Sequence, residues 1–231
     1  MSRPILFRKR KTLKYTFIIW DFNGTIFDDV DIGIESINLL LGRRGLPLIE
    51  SKEKYKDWFM FPIKEGYKKL GFDFEKESYD DVAEEWVKEY LSREKKAGIV
   101  EGVRSVLEYF KKIGIKQIIL SASEMGMLTR QLDELGLSEY FEEIVGLDNI
   151  HAAGKKEIAV AWRKKHPDEK LLFIGDTDHD HLVAMAMSAD CILVSAGHQS
   201  YERLEKIEPK LAIVKCPTDV IDVFEAVDLH N

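Results

Sequence analysis

The fold of this chain is decided by the stretch Thr16-Phe17-Ile18-Ile19-Trp20-Asp21-Phe22-Asn23-Gly24-Thr25-Ile26-Phe27-Asp28-Asp29. Its apolar half ends in Asp21, which is the pattern of a buried parallel strand that carries a carboxylate to its C-terminal end. In open α/β sheets, ligand sites lie just beyond the carboxyl ends of the strands. Gly24 permits a tight turn of the backbone at this point. The stretch therefore predicts that Asp21 belongs to a functional site.

Three later segments present polar residues in a similar way. An apolar run closes in a hydroxyl group at Gln117-Ile118-Ile119-Leu120-Ser121. A lysine opens a predicted helix in Ala153-Gly154-Lys155-Lys156-Glu157, and we prefer Lys155 to Lys156 because it directly follows Gly154. A second acidic strand end is found in Leu171-Leu172-Phe173-Ile174-Gly175-Asp176-Thr177-Asp178-His179-Asp180. The Ser and Lys patterns are weak alone, whereas the two acidic patterns are more specific.

In this order, the four segments resemble the four motifs of the haloacid dehalogenase superfamily of phosphohydrolases, and the chain resembles its phosphoglycolate-phosphatase-like group. The resemblance implies a doubly wound, mostly parallel α/β core with an inserted helical cap. It also implies hydrolysis of a small phosphorylated metabolite, in which Asp21 attacks phosphorus to form an aspartyl-phosphate. Dehalogenation is disfavoured, because acids at Asp176 and Asp180 suit a Mg²⁺ site for phosphate chemistry.

The same resemblance assigns the individual site residues. The catalytic residues that it implies are Asp21, Asn23, Ser121 and Lys155. The phosphate-binding residues that it implies are Phe22, Asn23, Ser121, Ala122 and Lys155. The Mg²⁺ ligands that it implies are Asp21, the backbone carbonyl of Asn23, Asp176 and, directly or through water, Asp180. Hard oxygen ligands of this kind are those that Mg²⁺ prefers.

Asn23 departs from the family pattern, which has a second aspartate at this position. That aspartate protonates the leaving group and later activates water, and an amide does neither at neutral pH. General acid–base catalysis contributes roughly 10²–10⁴-fold to a rate. Three consequences stay open. The enzyme prefers leaving groups that depart unprotonated, such as those of acyl or aryl phosphates; it recruits a base from elsewhere, as phosphonate-cleaving members do; or it is a phosphate-binding regulatory module with little turnover.

Two histidines near predicted strand ends, His179 and His198, are candidate substitutes for the missing acid–base group, with helix capping or surface placement as the alternative. The run Asp178-His179-Asp180-His181 contains residue types that bind Zn²⁺. Neighbouring positions at a helix start point in different directions, however, so these side chains do not all reach one ion. Mg²⁺ is therefore favoured over Zn²⁺.

Residues 30–98 contain the candidates for contact with the substrate from a cap. Lys64 and Tyr67 combine a basic and an aromatic side chain, although amphipathic packing explains Tyr67 equally well. In the phosphonate alternative, Lys64 is the candidate for a Schiff base. Arg43 and Arg44 are interpreted as anion contacts or as a solvated helix end.

Composition limits the class of protein. The chain has 231 residues, of which 45% are hydrophobic and 32% are charged, as in a globular protein of one domain plus an insertion or of two small domains. A formal net charge of −7 argues against nucleic acid as the main partner. No apolar run approaches the roughly 20 residues that span a bilayer, and no signal-peptide pattern is found. The two cysteines, Cys191 and Cys216, predict buried free thiols and a cytoplasmic location.

From about residue 100 onward, helix-like and strand-like segments alternate, which predicts a mostly parallel sheet with helices on both faces. The predicted helices there are 103–113, 124–135, 155–165, 182–188, 201–207 and 219–227. The predicted strands there are 116–121, 171–174, 191–195 and, at an edge, 211–214. Residues 30–98 contain only predicted helices, at 32–41, 52–59, 64–70 and 79–95. The predicted domains are therefore a core of residues 1–29 and 99–231 and a helical cap of residues 30–98, which closes over the site and excludes water.

Overall fold

A six-stranded sheet forms the centre of the computed structural model, which describes residues 13–149 and 154–229. Its strand order is β3-β2-β1-β4-β5-β6, and all its pairings are parallel. The strands are β1 (Phe17–Trp20), β2 (Lys116–Glu124), β3 (Glu143–Leu147), β4 (Leu171–Gly175), β5 (Asp190–Val194) and β6 (Ala212–Val214). Because the chain order reverses between β1 and β4, the sheet is doubly wound. The predicted fold class is confirmed.

Helices surround this sheet and form a separate layer beyond its carboxyl edge. The helices between β1 and β2 are α1 (Val30–Arg43), α2 (Lys52–Trp58), α3 (Ile63–Lys69), α4 (Tyr79–Leu91) and α5 (Val103–Ile113). Those that follow are α6 (Met125–Glu134), α7 (Lys156–Lys165), α8 (Asp178–Met187), α9 (Tyr201–Leu204) and α10 (Asp219–Leu229). Short 3₁₀ helices occur at Glu94–Lys96 and Ser138–Tyr140. Among the described helices, none is both long and apolar enough to cross a membrane.

The alternation of side chains along β1 explains why helices cover both faces of the sheet. Ile18 and Trp20 point to one face and belong to a hydrophobic cluster with residues of α5 and α10. Phe17 and Ile19 point to the opposite face and pack with residues of α7 and α8. All four side chains are buried, so β1 is sandwiched on both sides.

Helices α1 to α4 bury their apolar side chains mainly against one another. Their shared cluster includes Ile37, Leu40, Tyr55, Tyr67 and Val82. Helices α1 to α4 therefore share a hydrophobic cluster of their own. That residues 30–98 form a separate cap remains a proposal. The predicted all-helical character of this region agrees with the described elements.

The sequence prediction differs from the structure in three places. Strand β3 was not predicted, because Glu143-Ile144-Val145-Gly146-Leu147 is short and interrupted by glycine, and it lies at a sheet edge. Helix α8 begins at Asp178 rather than at residue 182, because Thr177 and Asp180 form a capping box that starts the helix among polar residues. Helix α4 ends at Leu91 rather than at residue 95.

The remaining predicted elements agree with the structure to within a few residues, including β6 at the opposite sheet edge. The predicted cysteine state is correct in part. Both cysteines are free thiols, and Cys191 is buried in β5, whereas Cys216 is half-buried.

The first prediction concerns the central strands. Leu172 in β4 has no exposed surface, whereas 56% of Leu182 in α8 is exposed. We expect Leu172→Ala to lower the free energy of unfolding by about 2–5 kcal/mol, because it removes buried methyl groups and leaves a cavity. The control Leu182→Ala is expected to change it by less than about 0.5 kcal/mol. Urea denaturation measures both values, and equal losses would contradict this packing.

Candidate active site

Three carboxylates meet at the carboxyl edge of the sheet. Asp21 follows β1 and Asp176 follows β4, so the pairing of these neighbouring parallel strands places the two side chains side by side. Asp180 reaches them from the first turn of α8. One oxygen from each carboxylate lies within 4.8 Å of the other two, and all three residues are buried.

Asp180 is held in place by the hydrogen bonds that also begin α8. Its Oδ2 accepts from the Thr177 hydroxyl at 2.7 Å. The same oxygen accepts from the backbone N–H groups of Asp176 and Thr177 at 3.1 and 3.0 Å. Only Oδ1 is left to face the other carboxylates. Asp180 thus takes part in the cap of α8 and also contributes a carboxylate to the cluster.

Lys155 is the cation of this cluster. Its Nζ donates to Asp21 Oδ1, to the Leu120 carbonyl at 2.9 Å and to Asp180 Oδ1 at 2.7 Å. Lys155 is buried, whereas Lys156 is exposed. The preference for Lys155 over its neighbour therefore agrees with the geometry. Lys155 is the residue before α7 rather than its first helical residue.

One ammonium group does not neutralise three buried carboxylates. Burial raises the pKa of Asp21 well above its usual value, and the charges of Asp180 and Asp176 add to this rise, although Lys155 opposes it. Burial likewise raises the pKa of Asp176 to about 6, with Asp180 contributing. For Asp180, burial is outweighed by Lys155, which lowers its pKa. The cluster therefore has excess negative charge.

This donor set fits Mg²⁺. The three acids offer only hard oxygen atoms, and their excess negative charge is what a divalent cation compensates. Asp178 and His179 do not join the cluster. The Asp178 carboxylate accepts from Gln199 and Arg203, and the His179 ring stacks on Phe61 at 4.5 Å. These contacts agree with the prediction that the side chains of residues 178–181 do not meet at one Zn²⁺ ion.

Two glycines allow the surrounding loops to approach Asp176. A methyl group at Gly24 or at Gly197 would overlap the Asp176 carboxylate. Gly24 also has a φ of +75°, a conformation that side chains rarely adopt. The backbone N–H of His198 comes close enough to donate to Asp176 Oδ2 at 2.5 Å. These contacts hold the Asp176 carboxylate in place.

Asn23, which stands where the family has an aspartate, is locked by hydrogen bonds. Its amide nitrogen donates to Asp29 Oδ2 at 2.7 Å and to the Tyr90 hydroxyl at 3.1 Å. Its oxygen accepts from the Ser123 hydroxyl at 2.7 Å. Tyr90 in turn donates to Asp29 at 2.8 Å. The amide of Asn23 satisfies these partners because it both donates and accepts hydrogen bonds. An ionised carboxylate at this position would only accept.

Behind Asn23, Asp29 and His198 form a buried ion pair. His198 Nε2 lies 3.1 Å from Asp29 Oδ1, and Nδ1 lies 2.9 Å from the Tyr55 hydroxyl of α2. Burial disfavours both charges, but Asp29 raises the pKa of His198 to about 9, and His198 lowers the pKa of Asp29. The His198 ring also stacks on Phe59 at 4.5 Å. His198 thus joins the core to the helices above it.

The other predicted phosphate-binding residues surround the cluster. Ser121 is buried and hydrogen-bonded to Ser123, and Ala122 lines the same cavity as Asp21. The Phe22 side chain is buried in the core and stacks on Phe27, and Phe22 is absent from the described residues that line the cavity. The Glu124 side chain caps α6 by accepting from the backbone N–H groups of Gly126 and Met127.

A cavity of about 150 Å³ connects the cluster with helices α1 to α4. It brings together all the predicted catalytic side chains, and both candidate histidines also line it. Tyr67 lines the cavity too, whereas Lys64, Arg43 and Arg44 are absent from the described lining residues. The placement of Lys64 gives no support to the Schiff-base alternative.

Sequence reasoning missed the partners of Asn23. Asp29 was visible as one of several acids after β1, but nothing in its pattern distinguished it from Asp28, which is exposed. Tyr55 and Tyr90 reach the site from α2 and α4, far along the chain. Their hydrogen bonds depend on how the helical layer packs, which no local pattern indicates.

Comparisons with known proteins agree with this geometry. Residues 18–194 match the family described as haloacid dehalogenase-like hydrolase. The chain is 23% identical over 207 residues to a phosphoglycolate phosphatase of Pseudomonas fluorescens, covering 85% of this chain and 75% of that protein. It is 25% identical over 203 residues to a phosphoglycolate phosphatase of Caulobacter vibrioides, covering 85% of each. A solved haloacid dehalogenase-like family hydrolase from Streptococcus pneumoniae shares the fold, with a TM-score of 0.77, 19% identity and coverage of 91% of this chain and 99% of that one.

The second prediction tests the close approach to Asp176. We expect Gly197→Ala to lower the free energy of unfolding by about 1–3 kcal/mol, because the added methyl group displaces a buried carboxylate. Gly98→Ala is the matched control, since a Cβ at Gly98 meets no atom within 4 Å. Chemical denaturation of both variants gives the comparison. A Gly197→Ala protein as stable as the Gly98→Ala protein would show that the loop is not close to Asp176.

Proposed function

Because the chain belongs to the haloacid dehalogenase-like hydrolase family, as its motifs predicted, we propose that it is a Mg²⁺-dependent phosphohydrolase that forms an aspartyl-phosphate on Asp21. The observation that carries this proposal is the buried cluster of Asp21, Asp176 and Asp180 around Lys155. The family match also confirms the predicted phosphatase class. The predicted class of small phosphorylated metabolites and the cytoplasmic location remain proposals.

Asp21 is the proposed nucleophile. Its carboxylate oxygen attacks phosphorus while the bond from phosphorus to the leaving oxygen breaks, and water then cleaves the aspartyl-phosphate. The Ser121 hydroxyl, the backbone N–H groups of Phe22, Asn23 and Ala122, and the Lys155 ammonium are proposed to bind the phosphate oxygens. Such preorganised donors stabilise the charge that develops on phosphate oxygens in the transition state.

The proposed Mg²⁺ ligands are Asp21, Asp176, Asp180 and the Asn23 carbonyl. When bound, the ion supplies positive charge to the phosphate oxygens. Lys155 then keeps two functions: it shields Asp21 from the other acids and it offers a charge to the phosphate. Both need a permanent cation, and the carboxylates around Lys155 raise its pKa despite burial.

Asn23 sets the chemistry of the leaving group. Its amide nitrogen is directed at Asp29 and Tyr90, and it has no acidic proton to give. Asp29 does not replace the missing acid, because its carboxylate already accepts from His198, Tyr90, Asn23 and the Gly24 N–H. We therefore propose a phosphatase that favours leaving groups able to depart without protonation.

The third prediction concerns the metal. We expect Mg²⁺ at a hundredfold excess over its Kd to stabilise the protein by about 2.7 kcal/mol. Asp176→Asn is expected to abolish this increment, whatever its stability without metal. The control Asp178→Asn, in the same motif but bonded to Arg203, keeps it. Thermal unfolding with Mg²⁺ or with a chelator gives each increment, and an undiminished one in Asp176→Asn would contradict the ligand assignment.

The fourth prediction concerns turnover. We expect Mg²⁺-dependent phosphate release from acetyl phosphate by the wild type and only background release by Asp21→Asn. Asp28→Asn is the matched control, because Asp28 is exposed in the same loop. Asn23→Asp places a carboxyl group against the Asp29 carboxylate, so it keeps its proton near neutral pH. This variant is expected to gain at least about tenfold on alkyl phosphates, within the range of general acid catalysis.

The same assay includes the regulatory alternative. If the wild type releases one equivalent of leaving group and then stops, while Asn23→Asp turns over continuously, the native chain is a phosphate-binding module. Silence of every variant that retains Asp21, with Mg²⁺ bound, would contradict the phosphohydrolase proposal itself.

A further inference from the structure

The cavity beyond the acid cluster has an apolar wall. Helices α1, α3 and α4 contribute most of the wall that faces away from the sheet. The residues that define it are Ile37, Tyr67, Tyr79, Ala83, Trp86 and Val87. A group attached to a phosphate at the acid cluster would therefore lie against aromatic rings and aliphatic side chains.

Positive charge is scarce in this cavity. Of the described lysines and arginines, Lys155 alone lines it, and its ammonium already donates to Asp21 and Asp180. The His198 imidazolium also lines it, but this charge is paired with Asp29. The basic side chains of the helical layer that the sequence suggested as substrate or anion contacts have other partners. Arg43 and Arg44 both pair with Glu85, and the Lys64 ammonium lies over two aromatic rings, 5.6 and 5.3 Å from their centroids.

These features select against a charged substrate body. A carboxylate placed against the wall would lose its hydration without gaining a cation, and such burial is costly. An aromatic ring instead gains from leaving water and from stacking on the wall. The cavity has a volume of about 150 Å³, including the space beside the acid cluster, so the group attached to the phosphate has to be small.

The chemistry at Asn23 favours the same class independently. A phenol ionises near pH 10, far below an aliphatic alcohol, so a phenolate leaves phosphorus without a general acid. Asn23 has no proton to supply, and its amide is fixed toward Asp29 and Tyr90. An aryl phosphate therefore suits both the wall and the missing acid.

We propose that the cavity between the acid cluster and helices α1, α3 and α4 selects aryl phosphates with an uncharged ring, an inference that rests on the proposed phosphohydrolase function. The Asp21 carboxylate forms a bond to phosphorus as the bond to the aryl oxygen breaks. The electron pair leaves with the phenolate, which takes a proton from solvent. Water then adds to phosphorus, which releases inorganic phosphate and a proton and regenerates the Asp21 carboxylate.

Substrate pairs separate the two parts of this proposal. We expect kcat/KM for phenyl phosphate to exceed that for 4-carboxyphenyl phosphate at least tenfold, because both have an aryl leaving group and only the phenyl group is uncharged. We expect it to exceed that for cyclohexyl phosphate at least tenfold as well, because an alkoxide needs protonation. Comparable values for 4-carboxyphenyl phosphate would overturn the apolar-wall argument, and comparable values for cyclohexyl phosphate would overturn the leaving-group argument.

A variant of the wall tests it directly. Val87→Lys places an ammonium group in the cavity, whereas Val87→Met is a control of similar length without charge. We expect Val87→Lys to reduce the preference for phenyl phosphate over phosphoglycolate at least tenfold and Val87→Met to retain it. An unchanged preference in a folded Val87→Lys protein, checked by circular dichroism, would overturn the role of the wall.

Ligand binding to the wild type keeps the test independent of folding and turnover. With Mg²⁺ present, we expect benzylphosphonate to bind at least tenfold more tightly than phosphonoacetate, by calorimetry. The reverse order would overturn the proposal. Acetyl phosphate distinguishes failure of the aryl proposal from failure of the proposed phosphohydrolase function. If acetyl phosphate is hydrolysed in an Asp21-dependent way and no preference for aryl esters is found, only the aryl proposal is contradicted. If neither acetyl phosphate nor any ester is hydrolysed, the phosphohydrolase function is contradicted.

Discussion

The structure of the site depends on one electrostatic constraint, the placement of three carboxylates in a buried position with a single fixed ammonium group. Lys155 contacts Asp21 and Asp180, and Asp176 receives a backbone N–H and a threonine hydroxyl instead. Charges of one sign at such separations in a protein interior repel one another strongly. Burial, with a smaller contribution from this repulsion, raises the pKa values of Asp21 and Asp176. The fold therefore holds the acids in an unfavourable arrangement, which the proposed divalent cation would relieve.

The charges near position 23 explain why an asparagine is suited to it. The nearby Asp29 is ionised and paired with His198, and it accepts a hydrogen bond from the Asn23 amide. An aspartate at position 23 would confront Asp29 with a second carboxylate, and one of the two would have to keep a proton. A neutral donor removes that conflict. Asn23 thus stabilises the ion pair of Asp29 and His198, but it cannot act as a general acid. An aspartate at this position would have the opposite effects.

Much of the site could be predicted because strand ends are local features. Asp21 and Asp176 each follow an apolar run, and adjacent parallel strands bring such ends together. Lys155 was identified through the family resemblance, and Gly154 decided between it and Lys156. The capping box at Thr177 was overlooked because α8 begins among polar residues, where hydrophobic periodicity gives no signal. The contacts around Asp29 could not be predicted at all, since they join segments that meet only after α1 to α4 have packed over the sheet.

The helical layer links specificity to the chemistry. Tyr55 and Tyr90 belong to helices of this layer, yet their hydroxyl groups bind His198 and Asp29 beneath the nucleophile. Trp86, one turn before Tyr90 on α4, stacks on it at 4.8 Å and also lines the cavity. A ring that packs against Trp86 therefore touches a side chain in direct contact with the Asn23 network. Under the proposed function, recognition of the leaving group by Trp86 and orientation of Asn23 by Tyr90 therefore rest on the same helix.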